Sequence, residues 1–251
     1  MKLFSKKKVW IPLVSVSVVL LLLVGGCAVY AGDYYRADEA ALEAFSTPKE
    51  TVCEVADGWV TVRPADGETG VGFIFYPGGK VEHTAYLPLL QTLASEGVFC
   101  VVVEMPLRLA VLDMNAADNV RAAYPDVETW YMGGHSLGGA MAASHVESRA
   151  DVYAGLILLG AYSTADLSET GLDVLSVYGS EDGVINRETY AASRANLPDG
   201  FVEVIVEGGN HAGFGLYGEQ EGDGTPTISA AEQIKQTAEA ILFLMEVPCE
   251  D

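Results

Sequence analysis

Basic residues are scarce in this sequence. Its 251 residues include 14 lysines and arginines against 35 aspartates and glutamates, which leaves a formal net charge of -21. Proteins that bind nucleic acid use basic side chains to neutralise phosphates, so this composition argues against a nucleic-acid partner. The same acidic balance keeps the chain soluble and disfavours other anionic partners.

Cysteine and histidine are also few, with four of each. No two cysteines have the Cys-x-x-Cys spacing that zinc sites and redox motifs use, so no metal is expected, and no motif requires an organic cofactor. Cys100 lies in an apolar stretch and is expected to be buried. Cys53 and Cys249 either form a disulfide in an oxidising compartment or remain two free thiols.

The first 32 residues differ from the rest of the chain. Four lysines in the first ten residues precede a charge-free, apolar run from Val9 to Gly32. About 20 such residues suffice to cross a bilayer, so residues 1–32 are predicted to be a signal anchor with a transmembrane helix and a cytoplasmic N-terminus. A cleaved secretory signal and a lipoprotein lipidated at Cys27 are the alternatives. All three predict that the following domain lies outside the cytoplasmic membrane.

The remainder of the chain has the composition of a globular protein. Half of all residues are apolar and a fifth are charged, without repeats or low-complexity tracts. Residues 33–50 are interpreted as a polar stalk, and residues 51–251 as one domain. In that domain an opening antiparallel pair of strands, with its turn at Asp57–Gly58, precedes continuous apolar strands that alternate with amphipathic helices. This pattern predicts an α/β domain with a mostly parallel sheet and helices on both faces.

Ser136 is the first candidate for chemistry. In "GHSLG" glycines stand two residues before and two residues after the serine, between an apolar strand and a helix rich in small residues. A nucleophilic serine on a sharp strand-to-helix turn requires glycine at these positions, because larger side chains would collide there. The alternative is a phosphate-binding turn or an ordinary helix start.

A serine hydroxyl needs a base, and the base needs an acid to orient it. In this architecture the acid and then the base follow the nucleophile along the chain. His211, on a glycine-rich loop after the last strand, is the only histidine with the right order and place. Asp182, after the preceding strand, is the expected acid, and its neighbour Glu181 is the alternative.

Two backbone amides are expected to stabilise an oxyanion. One belongs to Leu137, the residue after the serine, and the other to Gly79 in the loop "YPGG", with Lys80 as the alternative donor. Lys80 and Arg108 are also candidates for binding a substrate carboxylate, although an ordinary surface role competes with that interpretation.

Four stretches carry a resemblance to a known family. They are "FYPGGKV", "GGHSLGGAMAA", "YGSEDGV" and "GGNHAGFG", which occur in this order within residues 70–246. The chain resembles the α/β-hydrolases, and more closely the small, lid-less branch near the dienelactone-hydrolase-like proteins. The resemblance implies an eight-stranded sheet and a Ser136–His211–Asp182 triad. "YPGG" replaces the more usual His-Gly pair, and serine replaces the cysteine nucleophile of the dienelactone enzymes themselves.

The expected function follows from these residues. The connection at residues 163–171 is too short to form a lid, so the site is expected to be open to small, soluble acyl substrates. The prediction is a serine hydrolase that cleaves a carboxylic ester through an acyl-enzyme on Ser136. The alternatives are an acyltransferase with the same triad and a non-catalytic, membrane-tethered binding domain. The acidic segment 217–229, beyond His211, is interpreted as a solvated loop, and the oligomeric state is left open.

Overall fold

The computed structural model describes residues 7–45, 51–56, 58–65 and 70–247. They belong to two compact units, Met1–Tyr34 and Tyr35–Asp251. In the first unit α1 extends over Lys7–Gly32, so the predicted N-terminal helix is present. The prediction that it spans a membrane is not supported, because no helix in the described part of the chain is both long and apolar enough to cross a bilayer.

The second unit alternates strands and helices. Its strands are β1 Thr51–Ala56, β2 Trp59–Pro64, β3 Val71–Tyr76, β4 Phe99–Val103, β5 Thr129–His135, β6 Gly155–Leu159, β7 Asp173–Gly179 and β8 Val202–Val206. Its α-helices are α2 Glu39–Phe45, α3 Leu87–Ser95, α4 Ala116–Ala123, α5 Leu137–Val146, α6 Arg187–Ser193 and α7 Ala230–Leu244.

The eight strands form one sheet in the order β1-β2-β4-β3-β5-β6-β7-β8. The pairs β1–β2 and β2–β4 are antiparallel, and every other neighbouring pair is parallel. The predicted eight-stranded, mostly parallel sheet with an antiparallel pair at its start is therefore confirmed.

Both faces of the sheet are buried, which explains why its central strands are apolar without interruption. Along β3 successive side chains point to opposite faces: Phe73 and Phe75 pack in one hydrophobic cluster, whereas Ile74 and Tyr76 pack in the other. The first cluster contains buried hydrophobic residues of α3 and α7, and the second contains buried hydrophobic residues of α4 and α5. Helices therefore cover both faces, as predicted.

The chain reverses its direction across the sheet between β3 and β5. From β3 it proceeds to β4 on one side, and it then returns to β5 on the other side of β3. The carboxyl ends of β3 and β5 lie side by side, with Tyr76 paired to Gly134. Ligand sites of open α/β sheets lie at such reversal points, beyond the carboxyl ends of the strands. The loops after β3 and β5 therefore flank the crevice where a site is expected.

Part of the segment interpreted as a stalk contacts the domain. Tyr35 pairs with Val81 in an isolated bridge, and its N–H donates to the carbonyl of Lys80 at 2.8 Å. The amide of Ala37 donates to the carboxylate of Glu82 at 3.0 Å. These contacts attach residues 35–37 to the loop that follows β3.

The cysteines are partly described. Cys100 is fully buried on β4, as predicted, and Cys53 is exposed on β1. Cys249 lies outside the described residues, so the Cys53–Cys249 disulfide stays a prediction.

Candidate active site

Ser136 occupies the turn between β5 and α5. Its backbone has φ 51° and ψ -121°, in a left-handed region that residues other than glycine rarely adopt. Its N–H donates to the carbonyl of Leu159, at the end of β6, at 2.9 Å, which ties the turn to the sheet. Strain of this kind concentrates at functional sites, and it is the conformation expected of a nucleophile on a strand-to-helix turn.

The glycines around Ser136 are required by close backbone approaches. A Cβ atom on Gly134 would lie 2.6 Å from the carbonyl oxygen of Tyr76, and one on Gly138 would overlap the same oxygen. The helix after the serine thus packs directly against the end of β3. This is the steric reason for glycine that the sequence pattern predicted.

His211 and Asp182 form a buried pair. Nδ1 of His211 lies 2.8 Å from Oδ2 of Asp182, and the two residues are 1% and 6% exposed. The other carboxylate oxygen, Oδ1, accepts hydrogen bonds from the amides of Val184 and Ile185 at 2.9 and 2.8 Å. A carboxylate only accepts hydrogen bonds, so the proton of the imidazole is on Nδ1 and the lone pair is on Nε2.

The Nε2 atom of His211 is buried and has no hydrogen-bond partner among the described residues. A buried nitrogen without a partner is costly in a folded protein, and a catalytic role is one of the explanations for such an atom. Glu181, the alternative acid, is exposed and accepts a hydrogen bond from the hydroxyl of Ser180. The structure therefore pairs His211 with Asp182 and not with Glu181.

Ser136 and His211 line one cavity of about 380 Å³. Its lining residues are Ser136, Leu137, Ala140, Met141, Gly160, Ala161, Tyr162, Thr164, Val184, Ile185, Asn186 and His211. Most of these side chains are apolar, and none of them belongs to Asp, Glu, Lys or Arg. Apart from Ser136 and His211, the cavity offers a substrate apolar contact and a few neutral polar groups.

The expected oxyanion donors lie next to each other. A Cβ atom on Gly79 would lie 3.0 Å from Cδ2 of Leu137, the first residue of α5. Neither amide donates a hydrogen bond within the described residues, whereas the amide of Lys80 donates to the carbonyl of Arg108 at 2.9 Å. Gly79 therefore remains the candidate, and the Lys80 amide is engaged elsewhere. Neither Gly79 nor Lys80 belongs to the cavity lining, so the oxyanion role of Gly79 and the substrate-binding role of Lys80 stay predictions.

A buried hydrogen-bonded pair supports the loop that carries Gly79. The amide of Gly78 donates to the hydroxyl of Tyr86 at 3.1 Å, and that hydroxyl lies 2.8 Å from Nδ1 of His135. Burial holds the pKa of His135 well below its usual value, so this imidazole is neutral and its Nδ1 accepts the tyrosine proton. His135 and Tyr86 are both fully buried, and no sequence motif indicates Tyr86.

Two more residues contact the acid–base pair, and no sequence motif indicates either of them. Gly160, after β6, has φ 51°, and a Cβ atom on it would lie 2.9 Å from Nδ1 of His211. Asp223 accepts hydrogen bonds from the amides of His211 and Ala212 at 3.2 and 2.8 Å. Both contacts depend on how separate loops meet, which a linear pattern does not record.

Comparison with known proteins adds a family and a set of similar folds. Residues 72–235 match the model of the alpha/beta hydrolase family. A protein from Thermoplasma acidophilum, named as a CIB-like hydrolase, is 15% identical, covers 76% of this chain and 97% of its own, and has a TM-score of 0.55. A protein from Klebsiella pneumoniae, named as a dienelactone hydrolase, is 17% identical; the match covers 75% of this chain and 92% of that protein, with a TM-score of 0.55. A protein from Thermus thermophilus is 12% identical; the match covers 79% of this chain and 99% of that protein, with a TM-score of 0.57. No curated protein sequence matches this chain.

Proposed function

Because the chain belongs to the alpha/beta hydrolase family, we propose that it is a serine hydrolase that cleaves carboxylic esters through an acyl-enzyme on Ser136. One observation carries the proposal: the His211 imidazole, held by Asp182, has an Nε2 without a partner among the described residues, in the cavity that Ser136 lines. This arrangement has the parts of nucleophilic acyl transfer, namely a strained serine, a base and an orienting acid.

The acylation step uses each of these groups. Nε2 of His211 takes the proton of the Ser136 hydroxyl while the serine oxygen attacks the ester carbonyl. Asp182 stabilises the imidazolium that forms. The amides of Leu137 and Gly79, with the N-terminus of α5, donate to the carbonyl oxygen as it becomes negative. The imidazolium then protonates the departing alcohol, which leaves the acyl group on Ser136.

Deacylation repeats the sequence with water. The neutral imidazole of His211 takes a proton from a water molecule as the water oxygen attacks the acyl carbon. Collapse of the second tetrahedral intermediate breaks the bond to the serine oxygen, which regains the proton from His211. The products are a carboxylic acid and the free enzyme.

The cavity favours a small, uncharged acyl group. Its volume of about 380 Å³ lies near the small end of ligand pockets, and its described lining includes no charged side chain beyond the acid–base machinery. An anionic acyl group would lose its hydration there without gaining a cationic partner. The formal charge of -21 adds long-range repulsion of anions.

Replacing the nucleophile tests this function. Ser136→Ala is expected to lower kcat for p-nitrophenyl butyrate by at least about 10³-fold while the protein stays folded. Ser144→Ala is the matched control, since Ser144 lies on the same helix and, within the described residues, its hydroxyl donates only to the carbonyl of Ala140. Ester turnover by Ser136→Ala at the wild-type rate would refute the proposal. Analysis of products with an added alcohol separates hydrolysis from acyl transfer.

The location of the domain is a separate proposal. The lysines and the charge-free run of residues 1–32 favour export across the cytoplasmic membrane. Fusion of an alkaline phosphatase reporter, which is active only after export, to the end of the chain is expected to give active phosphatase. An inactive phosphatase beside an active cytoplasmic reporter in the same position would contradict export.

A further inference from the structure

Asp223 lies in the acidic segment 217–229, which we call the clasp. Its carboxylate accepts four backbone hydrogen bonds. Oδ1 accepts from the amides of Gly183, His211 and Gly224 at 3.0, 3.2 and 2.8 Å, and Oδ2 accepts from the amide of Ala212 at 2.8 Å. Hydrogen bonds to an ionised acceptor are about twice as strong as those between neutral groups. The side chain is therefore tied into the fold and is not simply solvated.

Three of the four donors come from the two loops that carry the acid and the base, and the fourth, Gly224, follows Asp223 in the clasp. Gly183 directly follows Asp182 in the loop after β7, whereas His211 and Ala212 lie in the loop after β8. A single carboxylate thus joins the chain next to the acid to the chain that bears the base. The 2.8 Å distance between His211 Nδ1 and Asp182 Oδ2 depends on the relative position of these two loops.

The clasp also packs closely against the acid loop. A Cβ atom on Gly183 would lie 2.7 Å from the carbonyl oxygen of Gly222, and one on Gly224 would overlap the carbonyl oxygen of Glu181. The two backbones are in direct contact on both sides of Asp223, so no larger side chain fits at either glycine without a shift. This contact places the carboxylate within reach of the amides of both loops.

The base loop is held from a second direction. Gln233, buried on α7, accepts from the amide of Asn210 at 3.0 Å and donates to its carbonyl at 2.7 Å. The side chain of Asn210 donates in turn to the carbonyl of Gly224, beside Asp223, at 2.9 Å. The residue before His211 is thereby fixed to the last helix and to the clasp together.

We propose that Asp223 is a positioning residue for the acid–base pair: it holds the His211 loop against the Asp182 loop so that the imidazole keeps its orientation toward Ser136. This inference rests on the proposed function and extends it to a segment that the sequence pattern had indicated as a solvated loop. Asp223 is absent from the cavity lining, so it acts through the backbone of the loops and not on the substrate.

Substitution of Asp223 provides the test. Asp223→Asn removes the charge and puts an NH₂ group opposite amide donors, and Asp223→Ala removes every acceptor. Small misplacements of reacting groups cost up to about 10²-fold in rate, so kcat per active site is expected to fall about 10- to 100-fold with KM changed less than about two-fold. Glu221→Gln is the matched control, since Glu221 is exposed in the same segment and the substitution removes the same charge.

Two readouts separate positioning from a merely structural role. Titration of active sites with a fluorophosphonate counts the folded, reactive enzyme, so kcat is expressed per active site and loss of folded protein does not affect it. Proton NMR detects the His211 Nδ1–H that Asp182 accepts, and this signal does not require turnover. We expect it to shift or disappear in Asp223→Asn and to be unchanged in Glu221→Gln.

The outcomes are distinct. If kcat per active site of both Asp223 variants stays within about two-fold of wild type, whatever their melting temperatures, or if Glu221→Gln loses as much, the inference is overturned. If the wild-type protein neither reacts with the fluorophosphonate nor hydrolyses esters, the proposed function fails. In that case the His211 signal still reports whether Asp223 positions the pair.

Discussion

At the scale of single residues, the candidate site depends on side chains whose chemistry is set by what surrounds them. His211 resembles many buried histidines until its partners are counted: Asp182 accepts from Nδ1, and Nε2 has no partner in the described part of the chain. The ring centroid of His135 is only 4.5 Å away, and its Nε2 also has no partner among the described residues, but its Nδ1 accepts the proton of Tyr86, so the imidazole proton is on Nε2 and that atom cannot act as a base. Two adjacent imidazoles thus differ in what they can do.

The proposed preference for uncharged acyl groups can be tested at a single residue of the cavity wall. Val184 lines the cavity and is 37% exposed, so a lysine there can place its ammonium at the cavity mouth without being buried. Val184→Lys is expected to raise kcat/KM for the p-nitrophenyl hemisuccinate relative to the butyrate by about fivefold, which corresponds to one new surface ion pair of about 1 kcal/mol.

The control for this selectivity is Val152→Lys. Val152 is 36% exposed and lies outside the cavity lining, so it adds the same charge to the same kind of surface. Initial rates with both esters measure the ratio for each variant. A ratio that rises equally in the two variants would show that overall charge, and not the cavity wall, sets the preference.

At the scale of elements, the sequence predicted the opening antiparallel pair of strands and the alternation of apolar strands with amphipathic helices in the second unit. This succeeded because strands buried on both faces are continuously apolar and because amphipathic helices show their period directly. The turn at Ser136 was equally predictable from the sequence, because its glycines stand at fixed positions within one strand–turn–helix unit. The roles of Tyr86 and Asp223 could not be predicted from the sequence, because the groups that they contact belong to loops that only the tertiary fold brings together.

The loop after β3 yields a prediction at this scale. Tyr86→Phe leaves the buried amide of Gly78 without an acceptor and His135 without its proton donor. Such a loss costs about 1–3 kcal/mol of unfolding free energy. Because the same loop presents Gly79 to Leu137, kcat for ester hydrolysis is also expected to fall about tenfold with little change in KM.

Tyr76→Phe is the matched control for Tyr86→Phe. The hydroxyl of Tyr76 is also buried and bonds to backbone, donating to Met114 and accepting from Ala117, but in the hydrophobic cluster on the other face of the sheet. It is expected to lose similar stability and to keep its kcat. Denaturant unfolding measures the stability of both variants, and steady-state kinetics measures their kcat. An equal loss of kcat in the two variants would mean that the loop after β3 has no specific role in ester hydrolysis.

At the scale of the whole molecule, the fold follows from composition and order more firmly than the function does. Alternating strands and helices predicted the α/β architecture, and the order of Ser136, Asp182 and His211 predicted which loops meet at the sheet's carboxyl edge. The identity of the substrate has no comparable signal, since cavity shape is the sum of side chains from several elements. The membrane-spanning segment predicted for residues 1–32 was read from composition alone, and the described helices do not support it.

The stability of the molecule is expected to fall in acid. Burial, with Arg149 nearby, lowers the pKa of His145 to about 4, against about 6.5 in an unfolded chain. Between these values the unfolded chain binds a proton that the folded chain does not, so the free energy of unfolding decreases as the pH falls from about 6.5 to about 4. Because glutamine does not titrate, His145→Gln is expected to weaken the pH dependence of the free energy of unfolding, as measured by urea unfolding. If the wild-type protein and the variant show the same pH dependence, groups other than His145 cause it.

The central claim is that Ser136 is an activated nucleophile, and its reaction with diisopropyl fluorophosphate tests it most directly. Only a serine with a base in place reacts quickly with this probe. We predict a single adduct by intact mass, mapped to Ser136 by peptide sequencing, that is absent in Ser136→Ala and slowed severely in His211→Gln. Failure of the wild-type protein to form the adduct, or its formation on another residue, would contradict the account.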